Sequence, residues 1–483
     1  MSSKKSVSRR MFIKTTAAAA SICALPFVSA QSLSANDKIR LAVIGLGGRG
    51  LSLAHTFAEM PNVEIAAVVD PDSIRVERAA TQIKEKHDTD VLKFKDARLA
   101  MDDKNVDAVV VATCNHWHSL MAVWGCQAGK HVYVEKPLSH TLMEGRRCIE
   151  AASRAKVCVQ HGTQNRSNAD WARAGAAFRA GKYGTPLAVH AFAHRPRPSL
   201  GFKPAVDPPE YLDWDLWLGP VEMVPYHGNL VPYNWHWFWN TGNGEIGNNG
   251  VHYFDLCRWA LGDPMAHPTN VVSFGTRFVN DKANGYKDQA ETPNMQAAVF
   301  DFNGIPCIFE ACALRSKNWT PYETAWLHTS DGHFEGPKTF VSKSGERVKV
   351  EFDGEVKLPQ EGGHQVNFIE CMRNNTPDKL NAPVEAGHYS ASVCHLANIS
   401  YRLGETSTWD KCCAAVESAP ILPERLEVIR RNMEDVLTGI DLQKDVSFTL
   451  GKKVSISSAT ETFDGEPEAN ALAATPGRGD YRY

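Results

Sequence analysis

Twelve cysteines occur in this sequence without a CxxC pair or a regular spacing, which excludes a zinc ribbon and a small-domain disulfide framework. No metal site is predicted. Clustered positive charge is also lacking. Lys plus Arg number 52 against 55 Asp plus Glu, a formal net charge of −3, so there is no electrostatic footprint for nucleic acid or anionic lipid. After the first 36 residues no apolar run is long enough to cross a bilayer, which predicts a chain without a stable membrane anchor. Internal repeats are absent, excluding a repeat architecture. What remains is the make-up of an ordinary globular chain: 483 residues, 43% hydrophobic and 22% charged, enough for two or three domains with cores of their own. A small neutral or weakly charged ligand suits that balance.

The first residues carry an address. "SRRMFIK", residues 8–14, precedes an alanine-rich apolar stretch and small residues near Ala30. This is the pattern of a twin-arginine (Tat) export signal, and it is too short to span a membrane. Residues 1–35 are therefore expected to be a leader and the protein to be periplasmic, exported already folded.

"KIRLAVIGLGGRG" then delivers an apolar, β-rich run into Gly45, Gly47, Gly48, Arg49 and Gly50. A helical segment and a second strand follow, ending at Asp70. Strand, glycine turn, helix, strand, acid is the order of a dinucleotide-binding unit. Glycine lets the backbone approach a pyrophosphate, the helix N-terminus offers free N–H groups, and the acid accepts from ribose hydroxyls. A carboxylate there disfavours a 2′-phosphate, so NAD is expected over NADP, with Arg75 nearby as a counterweight. Further strands are expected near 106–112, 131–135 and 157–161, closing a doubly wound parallel sheet over 36–163. From about residue 186 the alternation stops and strand-like runs dominate. The second unit, 164–459, is expected to be an α+β domain on a large, mainly antiparallel open sheet. Residues 460–483 read as an irregular tail. If one face of the open sheet is bare, a homo-oligomer would cover it.

The motifs "VYVEKPLS" (132–139), "DAVVVATCNHWHSLMAVWGCQAGKHVYVEKPL" (107–138) and "GNNGVHYFD" (247–255), in that order after the glycine turn, make the chain resemble the Gfo/Idh/MocA oxidoreductases over nearly all of its length beyond the leader. The resemblance implies that Lys136 contacts the substrate hydroxyl beside the nicotinamide and that His252 is the catalytic base. It adds Asn115, His118 and Glu135 to the cofactor contacts, and His161, Gln164, Arg166 and Asn248 to the substrate side. Chemistry supports the pair. Pro137 holds Lys136 out of the α region at the carboxyl end of a strand, and a histidine titrates near neutral pH, with Asp255 one turn on to orient it. The sequence departs from the family at Asn248, where an Asp is usual. Either another group assists the proton relay, with His161, Gln164, His116 and His118 available, or Asn248 binds a sugar hydroxyl. Arg166 either binds substrate or braces the domain junction.

Upstream of that stripe, "WHWFW" (235–239) places Trp235, Trp237 and Trp239 on one face if the segment is extended. Such a wall either stacks on a pyranose ring or fills the second core. Asn248, His252, Asp255 and Trp259 share one stripe if helical.

Export adds a constraint, because free nicotinamide is not available outside the cytoplasm. The expectation is a tightly bound NAD, recycled in place by an enzyme that reversibly oxidises a secondary ring hydroxyl, at C3 for instance, of a sugar or glycoside. A partner lyase or hydrolase would then act on the keto-glycoside. Two alternatives stand beside it. One is redox-neutral, NAD-dependent glycoside hydrolysis by oxidation, elimination, hydration and reduction. The other is a redox-silent sugar-binding protein, favoured by Asn248 and opposed by Lys136 and His252 together.

Overall fold

The computed structural model describes residues 37–314, 322–437 and 439–483; the leader read from the sequence lies outside them. A first sheet is made of β1 (Ile39–Ile44), β2 (Val63–Val69), β3 (Leu92–Phe94), β4 (Ala108–Val111), β5 (His131–Val134) and β6 (Val159–His161). All pairings are parallel and the order is β3-β2-β1-β4-β5-β6, the doubly wound arrangement. The central strands are continuous runs of Val, Ile and Ala because helices cover both faces. Those helices are α1 (Gly48–Ala58), α2 (Ser73–His87), α3 (Ala97–Asp102), α4 (Asn115–Gln127) and α5 (Leu142–Ala155). The edge strand β3 escaped the sequence reading, since three residues with exposed flanks carry no periodicity.

The chain continues through α6 (Ala169–Arg179), β7 (Pro186–Ala193), α7 (Trp214–Leu218) and α8 (Val251–Ala260). Nine more strands follow: β8 (Val271–Thr276), β9 (Met295–Phe302), β10 (Ile305–Cys312), β11 (Glu323–Thr329), β12 (Gly332–Glu335), β13 (Thr339–Ser342), β14 (Arg347–Lys349), β15 (Glu405–Ser407) and β16 (Phe448–Leu450). With β7 they form a second sheet of order β14-β13-β12-β11-β7-β10-β9-β8-β16-β15, antiparallel except for β7 beside β10. The expected fold class, a Rossmann sheet plus a mainly antiparallel open sheet, is the observed one. Helices α9 (His364–Asn374), α10 (Val384–Arg402), α11 (Trp409–Ala414), α12 (Leu422–Val436) and α13 (Pro467–Leu472) complete the described chain.

Three packing features bear on the site. Helix α9 returns to the first unit, where Phe368 meets Phe57 and Tyr133 edge-on at 6.3 and 5.8 Å. Helix α10 lies along α5, α8 and β8, so the two units share a buried seam. The outer face of the second sheet is not bare: Leu422, Leu426, Ile429 and Met433 of α12 pack on Phe274, Ala297 and Ile308. That removes part of the reason for expecting a partner subunit there.

Candidate active site

At the carboxyl edge of the first sheet, strand β1 runs straight into the glycine turn. Gly45 has φ +87°, and a Cβ on it would lie 2.5 Å from the Ala112 carbonyl oxygen, so only glycine fits. Gly50 is packed more tightly still, its would-be Cβ 1.7 Å from the Gly45 oxygen. Its role is therefore to let α1 approach β1, and it does not line the cavity that Gly45, Gly47, Gly48 and Arg49 line. A Cβ on Gly48 would meet nothing within 4 Å, and the N-cap of α1, Gly47, brings no side-chain cap. The first N–H groups of α1 thus face an open cradle suited to phosphate. At the end of β2, Asp70 is buried, with Oδ2 accepting from Leu46 N–H at 2.7 Å and Oδ1 from Asp72 N–H at 2.9 Å. The Arg75 guanidinium lies 4.0 Å from Asp70 and 3.4 Å from Asp72. These residues fit a dinucleotide, and the cavity they begin, about 530 Å³, is of ligand size.

The cavity runs on without a break to Glu135, Lys136, Gln164, Asn248 and His252. The Glu135 carboxylate accepts from Arg49 Nε at 2.7 Å and from Gln164 Nε2 at 3.3 Å. His118 supports the next turn from below, its ring nitrogens 2.6 and 3.1 Å from the Pro137 and Thr113 carbonyls, beside a cis Lys136–Pro137 bond. Asn115 opens α4 and donates to Asn243 Oδ1 at 2.9 Å. Lys136 Nζ donates to the Asn248 carbonyl at 2.6 Å and to Asn248 Oδ1 at 3.2 Å, and Asn248 Nδ2 donates to the Tyr233 hydroxyl at 3.3 Å. Burial lowers the Lys136 pKa, with Glu135 and Glu245 opposing. Burial, then the Lys136 charge, holds His252 down to about 3, so it stands neutral, a proton acceptor beside an ammonium.

Several residues are not where a sequence reading put them. Residues Asn234–Trp237 form a 3₁₀ turn, not a strand: Phe238 N–H closes a tight turn onto the Trp235 carbonyl, and Trp235 N–H reaches back to the Leu230 carbonyl. Period two is lost. Trp235 and His236 stack at 3.5 Å and both line the cavity, whereas Trp237 turns to the Arg197 guanidinium, 4.9 Å from its ring, and Trp239 to Arg402 at 5.2 Å. The polar stripe splits as well. Ile246–Gly250 is a π-turn leading into α8, and its extra residue shifts the register of the helix face. Asn248 and His252 face the cavity, while Asp255, instead of orienting His252, takes Arg166 Nε at 2.8 Å and the Ser390 hydroxyl at 2.7 Å. Arg166 also reaches Asp263 at 2.7 Å. Arg166 is therefore held as a brace at the junction, and it does not line the cavity. His161 is buried against α10, its Nδ1 3.3 Å from the Thr163 hydroxyl, and it lines no part of the cavity. His116 is spent on the Thr241 and Trp217 carbonyls at 3.2 and 3.0 Å.

Among the wall residues that went unread in the sequence are Tyr233, His236 and Trp217. His236 Nδ1 lies 2.7 Å from the Tyr233 carbonyl, an acceptor only, so Nδ1 carries the proton and Nε2 keeps its lone pair. The Lys136 charge, after burial, holds it neutral.

Residues 39–163 match the model described as "Oxidoreductase family, NAD-binding Rossmann fold", and 201–291 that of "Oxidoreductase family, C-terminal alpha/beta domain", both of the Gfo/Idh/MocA group. The chain thus carries matches to both parts of the Gfo/Idh/MocA oxidoreductases, the NAD-binding Rossmann domain and the C-terminal domain. Among its curated relatives, a glycosyl hydrolase family 109 protein of Shewanella sp. (strain W3-18-1) is 32% identical over 131 residues, 26% of this chain and 28% of that one. The scyllo-inositol 2-dehydrogenase (NAD(+)) of Bacillus subtilis (strain 168) is 29% identical over 253 residues, 52% of this chain and 61% of the relative. The matches thus span from about a quarter to three fifths of the relatives' own length. The crystal structure of the WlbA dehydrogenase from Bordetella pertussis, in complex with NADH and UDP-GlcNAcA, shares the fold at TM-score 0.53 and 21% identity, covering 76% of this chain and 97% of that one. The glycine cradle and Lys136 thus lie in the part of the chain that matches the NAD-binding Rossmann fold, and Trp235, His236, Asn248 and His252, which complete the cavity, lie in the part that matches the C-terminal alpha/beta domain.

Proposed function

We propose that this protein reversibly oxidises a secondary ring hydroxyl of a sugar or glycoside, with NAD held tightly in the cavity. The observation that carries the reading is that Lys136, neutral His252 and neutral His236 line one cavity with the glycine cradle. Bound nicotinamide supplies the hydride acceptor. Lys136, oriented by both oxygens of Asn248, donates to the substrate oxygen, and His252 takes the hydroxyl proton. The Trp235 face and the Tyr233 and Asn248 polar atoms offer what a pyranose needs, an apolar platform and hydroxyl partners. Oxidation at C3 would acidify the neighbouring C–H and prepare the glycoside for a partner lyase.

Export in the folded state belongs to the same reading. The eleven cysteines among the described residues are unpaired and nine of them are buried, which suits a chain folded in a reducing compartment before crossing into an oxidising one. A captive cofactor follows from that route.

A second reading, net redox-neutral glycoside hydrolysis, is favoured by His236. Elimination and hydration need an acid/base group beyond the one that takes the hydroxyl proton, and His236 Nε2 is free for it. The glycosyl hydrolase family 109 relatives point the same way.

The test begins with protein purified without added cofactor. Denaturation should release NAD, and one class of glycosides added to the native protein should raise reduced-nicotinamide absorbance. Released NAD with aglycone formation and no lasting absorbance would select the hydrolase. If no nucleotide is released and added NAD does not bind, both readings fall.

A further inference from the structure

Residues 211–219 form a strap that brings Leu216 and Trp217 to the cavity wall. At one end the Tyr211 carbonyl accepts from Ser73 N–H at 2.9 Å and Asp213 N–H donates to the Pro71 carbonyl at 3.0 Å, which fastens the strap to the turn carrying Asp70. At the other end Trp117 Nε1 donates to the Leu216 and Trp217 carbonyls at 3.1 and 3.0 Å. Gly219, at φ +53°, lies so close to the Trp117 ring that a Cβ would be 2.0 Å from it. Leu216 and Trp217, held at their carbonyls, line the same cavity as Asp70 and Pro71. The strap therefore roofs the end that holds the acid of the dinucleotide unit.

The roof is in turn held by the end of the chain. Arg478 Nε donates to the Gly219 and Val221 carbonyls, both at 3.0 Å, and its Nη2 to the Asp215 carbonyl at 3.0 Å. A salt bridge joins Arg478 to the Asp215 carboxylate at 2.5 Å, and the Tyr481 hydroxyl donates to the same carboxylate at 2.7 Å. The Tyr481 ring stands edge-on to Trp117, centroids 5.4 Å apart, so the wall of the cavity and the tail share one aromatic contact. The tail has a firm root for this grip. Glu461 is buried and accepts from Arg146 Nε at 2.9 Å, with His267 and His388 each 2.8 Å away.

We propose that Arg478 and Tyr481 form a latch that keeps the strap closed and sets how long the nucleotide stays bound. The proposal rests on the reading that NAD occupies this cavity. The latch touches neither the glycine cradle nor Lys136, so it acts through the strap, as a positioning element. Its physical effect is on release: opening the roof requires breaking charge-assisted bonds and the Tyr481–Trp117 contact together, which slows dissociation more than it alters association.

The experiment compares the full chain with Arg478→Ala, Tyr481→Phe and a truncation ending at Gly477, each purified without added cofactor. The readouts are nucleotide content after gel filtration, the rate of NAD release, and melting temperature. Arg478→Ala and the truncation should release NAD about tenfold faster or more. They should emerge depleted and regain full occupancy and turnover when NAD is added in excess. Tyr481→Phe, which keeps the ring and loses one hydrogen bond, should show a smaller increase and guards against a truncation that does not fold. If Arg478→Ala is folded and releases NAD at the unaltered rate, the latch is wrong while the cavity assignment stands. If the unaltered chain neither carries nor binds NAD, the cavity assignment fails and the latch with it.

Discussion

The two ends of the cavity are built in different ways. The nucleotide end is backbone: a glycine turn, the N-terminus of α1 and an acid at a strand end, all within residues 39–72 and positioned by parallel pairing of β1 with β2 and β4. The substrate end is side chains brought from far apart, with Lys136 from the turn after β5, Trp235 and His236 from a 3₁₀ turn, and Asn248 and His252 from a π-turn and the start of α8. A contiguous stretch can only close one way, so its motif survives as a pattern. A wall assembled from four segments depends on the local turn geometry of each, and that geometry is what sequence periodicity reads least well.

The sharpest test of that division is Lys136→Ala. Lys136 sits where the two ends meet, and its loss should lower kcat by about 10³-fold or more while bound nucleotide, measured after denaturation, stays at the level of the unaltered chain. Loss of nucleotide together with turnover would erase the distinction between the ends.

A second test uses acid. His116 and His252 are held down to about 3, and His236 well below its ordinary value, all by burial first. Their folded forms are neutral, while in the unfolded chain they bind protons below about 6.5. Stability should therefore be full above that pH and be lost progressively as pH falls from about 6.5 toward 3. Hydrogen exchange at about pH 5 should open residues 211–219 and 234–241 before the amides of β1 and β4. Simultaneous opening of both would show that the ends are one cooperative unit.

The smallest expected effect separates the two tryptophans. Trp235→Leu should raise KM for the sugar by roughly tenfold, the scale of one lost aromatic stacking contact. Trp237→Leu should leave KM alone and lower the melting temperature, because Trp237 packs on Arg197. Equal KM effects would restore the single aromatic wall that an extended segment would make.

How far the site was legible follows the same line. The glycine turn and Asp70 were readable because each follows a strong strand and their roles depend on main-chain position, and Glu135 and Lys136 were reached through the family resemblance of the motif that ends β5. Asp255 and Arg166 were readable as charged residues in a motif, but not as partners of each other. Their 2.8 Å pairing joins residues 89 apart in sequence, and both are fully or almost fully buried, where an unpaired charge would be costly. Asp255 is turned to Arg166 and Ser390 instead of to His252.

From composition and pattern came the fold class and the dinucleotide-binding order, because strand burial and glycine turns leave local marks with periods of two and 3.6 residues, while the pairing of Lys136 with His252 came from the family resemblance of their motifs. Which aromatic faces the cavity, which histidine keeps a free lone pair, and which charges are spent on bracing were decided only in the tertiary structure. Those outcomes turn on a 3₁₀ turn, a single extra residue in a π-turn, and contacts between segments that have no neighbourhood in the sequence.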